Sequence, residues 1–171
     1  MTDHDIVKNI LGGDKTAFSE LLEIYQRQIL AYCARLLSFH QEDAQDATSE
    51  TFLKVYINLA SYNLNLKFSS WIYRIAHNES VNIIAKKSKI YIKPLDDQLD
   101  ILFTEIDFDK PRKEDIEKIL SQLSVDDRNL LILFYLEEKS LREIGEILKI
   151  SDNNVAVKLN RARTKAKKLV K

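Results

Sequence analysis

Residues 123–168 read LSVDDRNLLILFYLEEKSLREIGEILKISDNNVAVKLNRARTKAKK. Apolar side chains recur in this stretch at steps of three and four, in blocks that cover about 126–138, about 140–148 and 152 onward. The segment at 149–151 breaks the pattern between the second block and the third. Because two helices joined by so short a break are typical of a helix-turn-helix, the stretch predicts this motif.

The residues around the predicted turn agree with that motif. Gly145 lies where the two helices must approach closely, and a larger side chain would obstruct them. Ser151 or Asp152 can cap the third helix by accepting from its free backbone N–H groups. The small core is expected to contain five apolar residues: Ile144, Leu148, Ile150, Val155 and Leu159.

The opposite face of the third helix is mostly polar and presents Asn153, Asn154, Val157, Lys158, Asn160 and Arg161. Amides and cations at the front of a helix suit base edges, and the cations behind them suit phosphates. The last fourteen residues hold seven Lys or Arg and no acid. A solvated structural face is the alternative, but the acid-free tail favours DNA binding.

Composition places this motif in an all-α chain. The 171 residues are 45% hydrophobic and include three glycines and two prolines, so helix is expected throughout. The net charge is zero, but residues 93–115 carry four basic and eight acidic side chains, together with both prolines. Residues 116–171 carry twelve basic and eight acidic side chains. We therefore expect two small helical domains, 1–92 and 116–171, joined by a flexible acidic linker at 93–115.

Several classes of protein are disfavoured by what the sequence lacks. A single cysteine excludes an internal disulfide framework. No apolar run approaches the roughly 18 residues of a membrane span, and no signal peptide is evident, so a cytoplasmic protein without membrane insertion is expected. Since no pair of nucleophile and base is recognisable, we expect neither an enzyme nor a cofactor.

Three helices are predicted in the first domain. Apolar periodicity predicts one at about 16–38, with Cys33 on its buried face as an apolar thiol rather than a reactive one. A second is predicted at about 43–60. The third lies in FSSWIYRIAHNESVNIIAKKSKIYIK, residues 68–93, which combines aromatics and amides with a lysine-rich end. It would pack inward through Trp71, Ile72, Ile75 and Ala76, and its polar face must serve another purpose.

A row of carboxylates lies on the helix predicted at 43–60. Asp43, Asp46 and Glu50 follow a spacing of three and then four, which puts them on one face. The row could be a solvated face, a docking face for a basic partner or a metal site. Metal binding in helical bundles relies on Glu-x-x-His pairs, and none of the three histidines forms one, so no metal is expected.

Four segments in this order resemble the extracytoplasmic-function sigma factors of bacterial RNA polymerase: GDKTAFSELLEIYQRQI, EDAQDATSETFLKVYINL, FSSWIYRIAHNESVNII and the stretch at 123–168. The resemblance covers nearly the whole chain. It implies a region-two domain at 1–92 that binds core polymerase and the minus-ten element, and a region-four domain at 116–171 that binds the minus-thirty-five element. The chain would direct promoter recognition, promoter opening and transcription initiation, with an anti-sigma factor as a further partner.

The resemblance also assigns the site residues. The polymerase-docking face would comprise Asp43, Asp46, Ser49 and Glu50. The minus-ten element would be bound by Tyr62, Asn63, Asn65, Lys67, Phe68, Arg74, His77, Asn78, Lys86 and Lys87. The minus-thirty-five element would be bound by Asn153, Asn154, Ala156, Val157, Lys158, Asn160, Arg161 and Arg163. Within these sets Asn78 would read a base turned out of the stack, whereas Trp71 is expected in the core.

Some positions depart from the family pattern. Lys149 stands at a turn position usually given to Gly, and a non-Gly residue with positive φ is uncommon. Ser49 stands where the family commonly has Gln, and the loop that would help to read the base has Leu64-Asn65-Leu66-Lys67 where the family often has a Gly. The alternative function is an operator-binding regulator that acts without polymerase. Such a protein would share the helix-turn-helix, would not need the acidic row, and would usually dimerise.

Overall fold

The helical periodicity of the sequence is realised along the chain. The computed structural model describes residues 1–91 and 113–170, and within these ranges it contains α-helices and no strand. The helices, α1 to α8 in chain order, span Asp3–Leu11, Ala17–Leu36, Gln41–Asn58, Phe68–Tyr91, Lys113–Gln122, Val125–Leu131, Leu141–Leu148 and Asp152–Leu169. A 3₁₀ turn at Leu59–Ser61 follows α3, and a π-helical turn at Ile132–Leu136 extends α6. The all-α prediction is confirmed.

The first domain is built from α1 to α4. Helix α3 packs between α2 and α4, and α1 packs on α2. The buried faces are apolar, as the periodicity predicts: Leu21, Ile29 and Val55 are fully buried, and Ile72 of α4 joins them. Cys33 is also fully buried, so its predicted place on the buried face is confirmed, and burial raises the pKa of its thiol to about 11.

The second domain contains the predicted helix-turn-helix in α7 and α8, which pack on each other. Helix α8 also packs on α6, and α7 packs on the π-helical turn that follows α6. Ile144, Val155 and Leu159 are buried as expected, while Leu148 and Ile150 are half-buried. Both helices begin with a side-chain cap: Ser140 and Glu143 form a capping box at α7, and the Ser151 hydroxyl accepts from the backbone of α8. The motif therefore forms where local sequence predicts it.

The turn between α7 and α8 is close-packed. Lys149 adopts the left-handed region, with φ 56° and ψ 46°, as its place in the turn predicts. A Cβ on Gly145 would lie 2.7 Å from the backbone oxygen of Ile150, so only glycine fits at this crossing. Helix α5 begins at Lys113, inside the predicted linker, and the remaining linker residues 93–112 lie outside the described residues.

The two domains pack against each other, with α7 on α4 and with α5 and α6 on α2. Arg128 is buried at this contact, where its guanidinium donates to the carbonyl of Leu36 at 2.7 Å and to the hydroxyl of Ser38 at 2.8 Å. Within its own domain the same group donates to the carbonyls of Leu120 and Leu123. One buried cation thus joins the end of α2 to the start of the second domain.

Candidate nucleic-acid and protein interfaces

The carboxylate row of α3 divides into two parts. Asp46, Ser49 and Glu50 are exposed, and this face continues through the exposed apolar side chains of Leu53 and Ile57. The surface available to a partner is therefore acidic in its first half and apolar in its second half.

Asp43 does not belong to that exposed face, contrary to the prediction. It is 8% exposed and forms an ion pair with Lys87 of α4. The two residues hold α3 and α4 together, so Lys87 is also removed from the set of free cations predicted for DNA. Lys86, the neighbouring residue in that set, is exposed.

An open groove of about 550 Å³ lies between α3 and α4. Asn78 is exposed on one wall, and Trp71 forms part of the same wall. Trp71, which was expected in the core, is half-buried. Its ring packs against that of Tyr62, with 5.1 Å between the two centroids. Further groove residues offer amides or charges, namely Asn58, Asn82, Lys54 and Glu79, the last two paired at 2.5 Å.

The sequence predicts that the loop before α4 contacts DNA along its length, from Tyr62 to Phe68. In the structure only part of this loop is exposed. Tyr62 and Phe68 are 7% and 1% exposed, so these two residues belong to the core and support the two ends of the loop. Asn63 and Asn65 are exposed at its tip, where the Asn63 side chain accepts from the backbone of Asn65 at 2.9 Å. The amide-bearing tip, not the aromatic ends, is what a ligand could reach.

Three of the predicted minus-ten residues contact the second domain. Arg74 donates through Nε and Nη2 to the backbone oxygen of Glu146, at 3.0 and 2.6 Å. Lys67 pairs with Glu143 at 2.9 Å. Burial tends to raise the pKa of Glu143, but hydrogen bonds from Lys67 and Ser140 outweigh it and lower that pKa to about 2. Two of the four cations in the predicted minus-ten set, Arg74 and Lys67, thus contact α7.

His77 faces α6 instead of open solvent. Its Nδ1 lies 3.0 Å from Nδ2 of Asn129, whose oxygen accepts from the Tyr32 hydroxyl at 2.8 Å. Burial lowers the pKa of His77, partly offset by Asp126. A neutral ring that accepts from the Asn129 amide fits this geometry.

Sequence reasoning missed the polar residues of the domain contact. Besides Asn129 and Arg128, Glu137 accepts from Arg35 at 2.8 Å and from the Tyr73 hydroxyl at 2.5 Å. A signal was present, because Arg128 and Asn129 interrupt the apolar face of a predicted helix, where a buried polar group needs a partner. The partners themselves lie between 52 and 102 positions away along the chain, so no local pattern identifies them.

Helix α8 presents its predicted reading face to solvent. Asn153, Asn154, Val157, Lys158, Asn160 and Arg161 are exposed, and Ala156 is half-buried among them. Arg163 differs from the prediction: its guanidinium stacks over the rings of Phe134 and Tyr135, at 5.2 and 5.4 Å from their centroids. Arg163 therefore braces α8 on the π-helical turn, and the free cations of this face are Lys158 and Arg161.

Two kinds of site are absent from the described residues. No cluster of three or more His, Cys, Asp or Glu side chains within them could hold a metal ion. No helix in the same ranges combines the length and the apolar character that crossing a membrane requires.

Comparison with known proteins identifies both domains. The model of sigma-70 region 2 matches residues 21–90, and the model of sigma-70 region 4 matches residues 113–165. The chain is 32% identical to the ECF RNA polymerase sigma factor SigW of Bacillus subtilis, over 95% of this chain and 93% of that one. It is 28% identical to the ECF RNA polymerase sigma-E factor of Haemophilus influenzae, over 95% and 92%.

Solved structures share the fold. CnrH, in complex with the cytosolic domain of CnrY, superposes with a TM-score of 0.71 at 20% identity, over 96% of this chain and 94% of that one. The sigma factor RpoE of Bartonella quintana, in complex with the anti-sigma factor NepR, gives a TM-score of 0.70 at 20% identity, over 90% and 96%. With both sigma-70 regions present in order, the chain belongs to the ECF family of RNA polymerase sigma factors.

Proposed function

We propose that the chain directs core RNA polymerase to promoters through two DNA-reading surfaces and one acidic docking face. The observation that carries this proposal is that an exposed acidic stripe on α3 and an exposed helix-turn-helix reading face occur in one chain of this family. A sigma factor requires both, because it must bind a protein and DNA at once. This role is that of a transcription initiation factor and not of an enzyme.

Core polymerase would bind the exposed face formed by Asp46, Ser49 and Glu50. Carboxylates steer and orient a basic partner, while Leu53 and Ile57 supply apolar area that the partner can bury. Asp43 supports the face from behind through its pair with Lys87.

The opened minus-ten strand would bind in the groove between α3 and α4. Asn78 offers a donor and an acceptor to the edge of an unstacked base, and the half-buried Trp71 offers a ring beside it. Asn63 and Asn65 of the preceding loop, with Lys86, would lie along the same strand.

The duplex minus-thirty-five element would bind the exposed face of α8. Asn153 and Asn154 lie at the start of this helix, where side chains of a recognition helix reach base edges in the major groove. Lys158 and Arg161 follow and suit phosphates. Ala156 and Val157 supply the apolar part of the face.

The arrangement of the two domains bears on this function. Arg74 and His77 contact α7 and α6, so they become available to promoter DNA only when the second domain leaves the first, and separation also releases the exposed Lys67 from Glu143. We propose that binding to core polymerase separates the domains. Two solved structures that share the fold contain a bound protein, CnrY in one and the anti-sigma factor NepR in the other, and an anti-sigma factor is the partner we propose for the free state.

The deciding experiment mixes the chain with core polymerase and genomic fragments and maps the transcription start sites. A shared pair of sequence elements at fixed spacing upstream of the start sites supports the proposal and supplies the promoter sequence. Tight binding to duplex DNA without polymerase, with no polymerase-dependent starts, would instead support the operator-binding regulator. The cytoplasm, where polymerase and DNA are found, is the location this role requires.

A further inference from the structure

The N-terminal helix reaches the loop that precedes α4. His4 of α1 places its Nε2 3.0 Å from the hydroxyl of Tyr62 and 3.2 Å from the backbone oxygen of Leu66. The Tyr62 hydroxyl donates its single proton to that same Leu66 oxygen. With this proton committed, an Nε2–H group on His4 satisfies the geometry, because both the Tyr62 oxygen and the Leu66 carbonyl can accept from it.

This contact ties the loop to the first domain, whereas the Lys67–Glu143 pair ties it to the second. Between Tyr62 and Phe68 the backbone turns once, through a bond from the Leu66 N–H to the Asn63 carbonyl at 3.0 Å. The loop contains no glycine, and its tip is exposed at Asn63, Leu64 and Asn65. The Leu66 carbonyl accepts hydrogen bonds from the side chains of His4 and Tyr62, and these bonds attach the loop to the first domain.

The same contact is linked to the groove between α3 and α4. The ring of Tyr62 packs against Trp71, and Trp71 lines the groove beside Asn78. Tyr62 also meets Phe68 edge to face, with 5.5 Å between centroids. Loss of the His4 hydrogen bonds is therefore expected to shift both parts of the predicted base-binding surface, which are the tip of the loop and the Trp71 ring.

We propose that His4 is a positioning residue for minus-ten recognition, which acts by orienting the Leu66 carbonyl and the Tyr62 ring. The inference rests on the proposed function of the groove and the loop. His4 touches no base itself. Its effect should appear in the discrimination between bases of the opened strand, because a displaced loop still binds the backbone but no longer presents its amides in register.

The chain offers matched variants for a test. His4→Ala removes the hydrogen bonds, whereas His4→Gln keeps an amide N–H near the position of Nε2. Tyr25→Phe is the control for the attachment of α1, since the Tyr25 hydroxyl donates to Asp3 at 2.6 Å and ties α1 to α2 without involving the loop. A merely structural role of α1 would make this control behave like His4→Ala.

The measurement uses holoenzyme assembled from the full chain and core polymerase on a promoter template already unpaired across the minus-ten element. Each base of the opened non-template strand is changed in turn, and the ratio of affinities for the preferred and the altered base is determined. We expect His4→Ala to reduce this ratio by about two- to tenfold, the usual effect of one hydrogen bond. His4→Gln should restore most of the ratio, and Tyr25→Phe should leave it at the parental value.

Three results would overturn the inference: an unchanged ratio in His4→Ala, an equal loss in Tyr25→Phe, or a His4→Gln variant as impaired as His4→Ala. Thermal melts of all the variants accompany the measurement, so a loss of folding is recognised as such, and the Gln and Phe variants still decide the question. A parent holoenzyme with no base preference in the opened strand would contradict the proposed function itself, and this inference with it.

Discussion

Among single residues, Asn78 carries the sharpest prediction, because it is exposed in the groove where the opened strand would bind. Unstacking a base requires a few kcal/mol that stacking and edge contacts must recover. Asn78→Ala removes both a donor and an acceptor, so we expect open-complex formation to fall by about tenfold or more, which corresponds to two lost hydrogen bonds. Strand opening followed with a fluorescent base beside the minus-ten element measures this.

The controls for Asn78→Ala distinguish a loss of base recognition from a loss of stability. Thermal melting, core binding and closed-complex formation should match the parent, and a template already unpaired across the minus-ten element should restore part of the loss. Trp71→Ala should lower the melting temperature as well, although by less than for a fully buried ring, because Trp71 is half-buried. Parental opening by Asn78→Ala would remove Asn78 from the base-reading site.

Gly145 supports a second residue-level prediction, this time about stability. A Cβ at this position would meet the Ile150 carbonyl at 2.7 Å, and backbone cannot move aside cheaply. We expect Gly145→Ala to destabilise the second domain by about 1–3 kcal/mol, typical of overpacking, as measured by urea unfolding. Gly12→Ala is the matched control, since its Cβ would lie 3.3 Å from the nearest atom. Equal effects at the two glycines would show that the close helix crossing does not matter.

At the scale of an element, α3 is predicted to bind core polymerase through its exposed acids. Reversing Asp46 and Glu50 to Lys should weaken core binding by about a hundredfold, as repulsion replaces attraction at two positions of the face. Stability should change by no more than about 0.5 kcal/mol per substitution, because both side chains are exposed. Glu114 and Asp115, exposed on α5, provide a double reversal of the same charge as the control. Parental core affinity in the α3 variant would refute the docking assignment.

For α8, the prediction concerns how promoter binding depends on salt concentration. Lys158→Ala and Arg161→Ala should each reduce promoter binding by the holoenzyme, and each lost phosphate contact should lower the slope of log affinity against log salt by about 0.9. Asn153 or Asn154 substitutions should alter the preferred sequence instead. Lys118→Ala, exposed on α5, is the control and should leave the slope unchanged. A slope unaffected by the α8 changes would place the DNA elsewhere.

For the whole molecule, one link between the domains is Glu137, which accepts from both Arg35 and Tyr73. Glu137→Ala should weaken the contact by about 1–3 kcal/mol, since hydrogen bonds to a charged group are lost. The neighbouring Glu138→Ala is the control, because that side chain is exposed. We expect the glutamate at 137, and not the one at 138, to keep the domains together in the free protein.

Energy transfer between dyes on two added cysteines measures the separation. Ser61→Cys and Thr164→Cys place exposed labelling sites on the two domains, while the buried Cys33, with its pKa raised to about 11, reacts poorly. Lower transfer efficiency is expected in Glu137→Ala than in Glu138→Ala. Identical efficiencies would mean that Glu137 does not hold the domains together.

Much of the architecture follows from local patterns in the sequence. The helix predicted at about 16–38 forms as Ala17–Leu36, and the break at 149–151 becomes the turn of the helix-turn-helix. Apolar spacing, side-chain caps and a crowded glycine act over a few residues, so they can be read from the chain directly. The exposed face of α8 was predictable for the same reason, because periodicity assigns one side of a helix to the core and leaves the other to solvent.

Local patterns do not show which polar side chains are buried, because that depends on how the faces of the helices pack against each other. Asp43 shares the spacing of Asp46 and Glu50, but only the position of Lys87 on α4 buries it. The bonds from Tyr32 to Asn129 and from Arg35 to Glu137 span 97 and 102 positions along the chain. The sequence by itself determined six of the eight described helices, the division into two domains and the family, whereas α1 and α5 were not predicted. Tertiary structure decided which polar residues reach solvent, because that depends on the shape and charge of surfaces that no stretch of the chain contains alone.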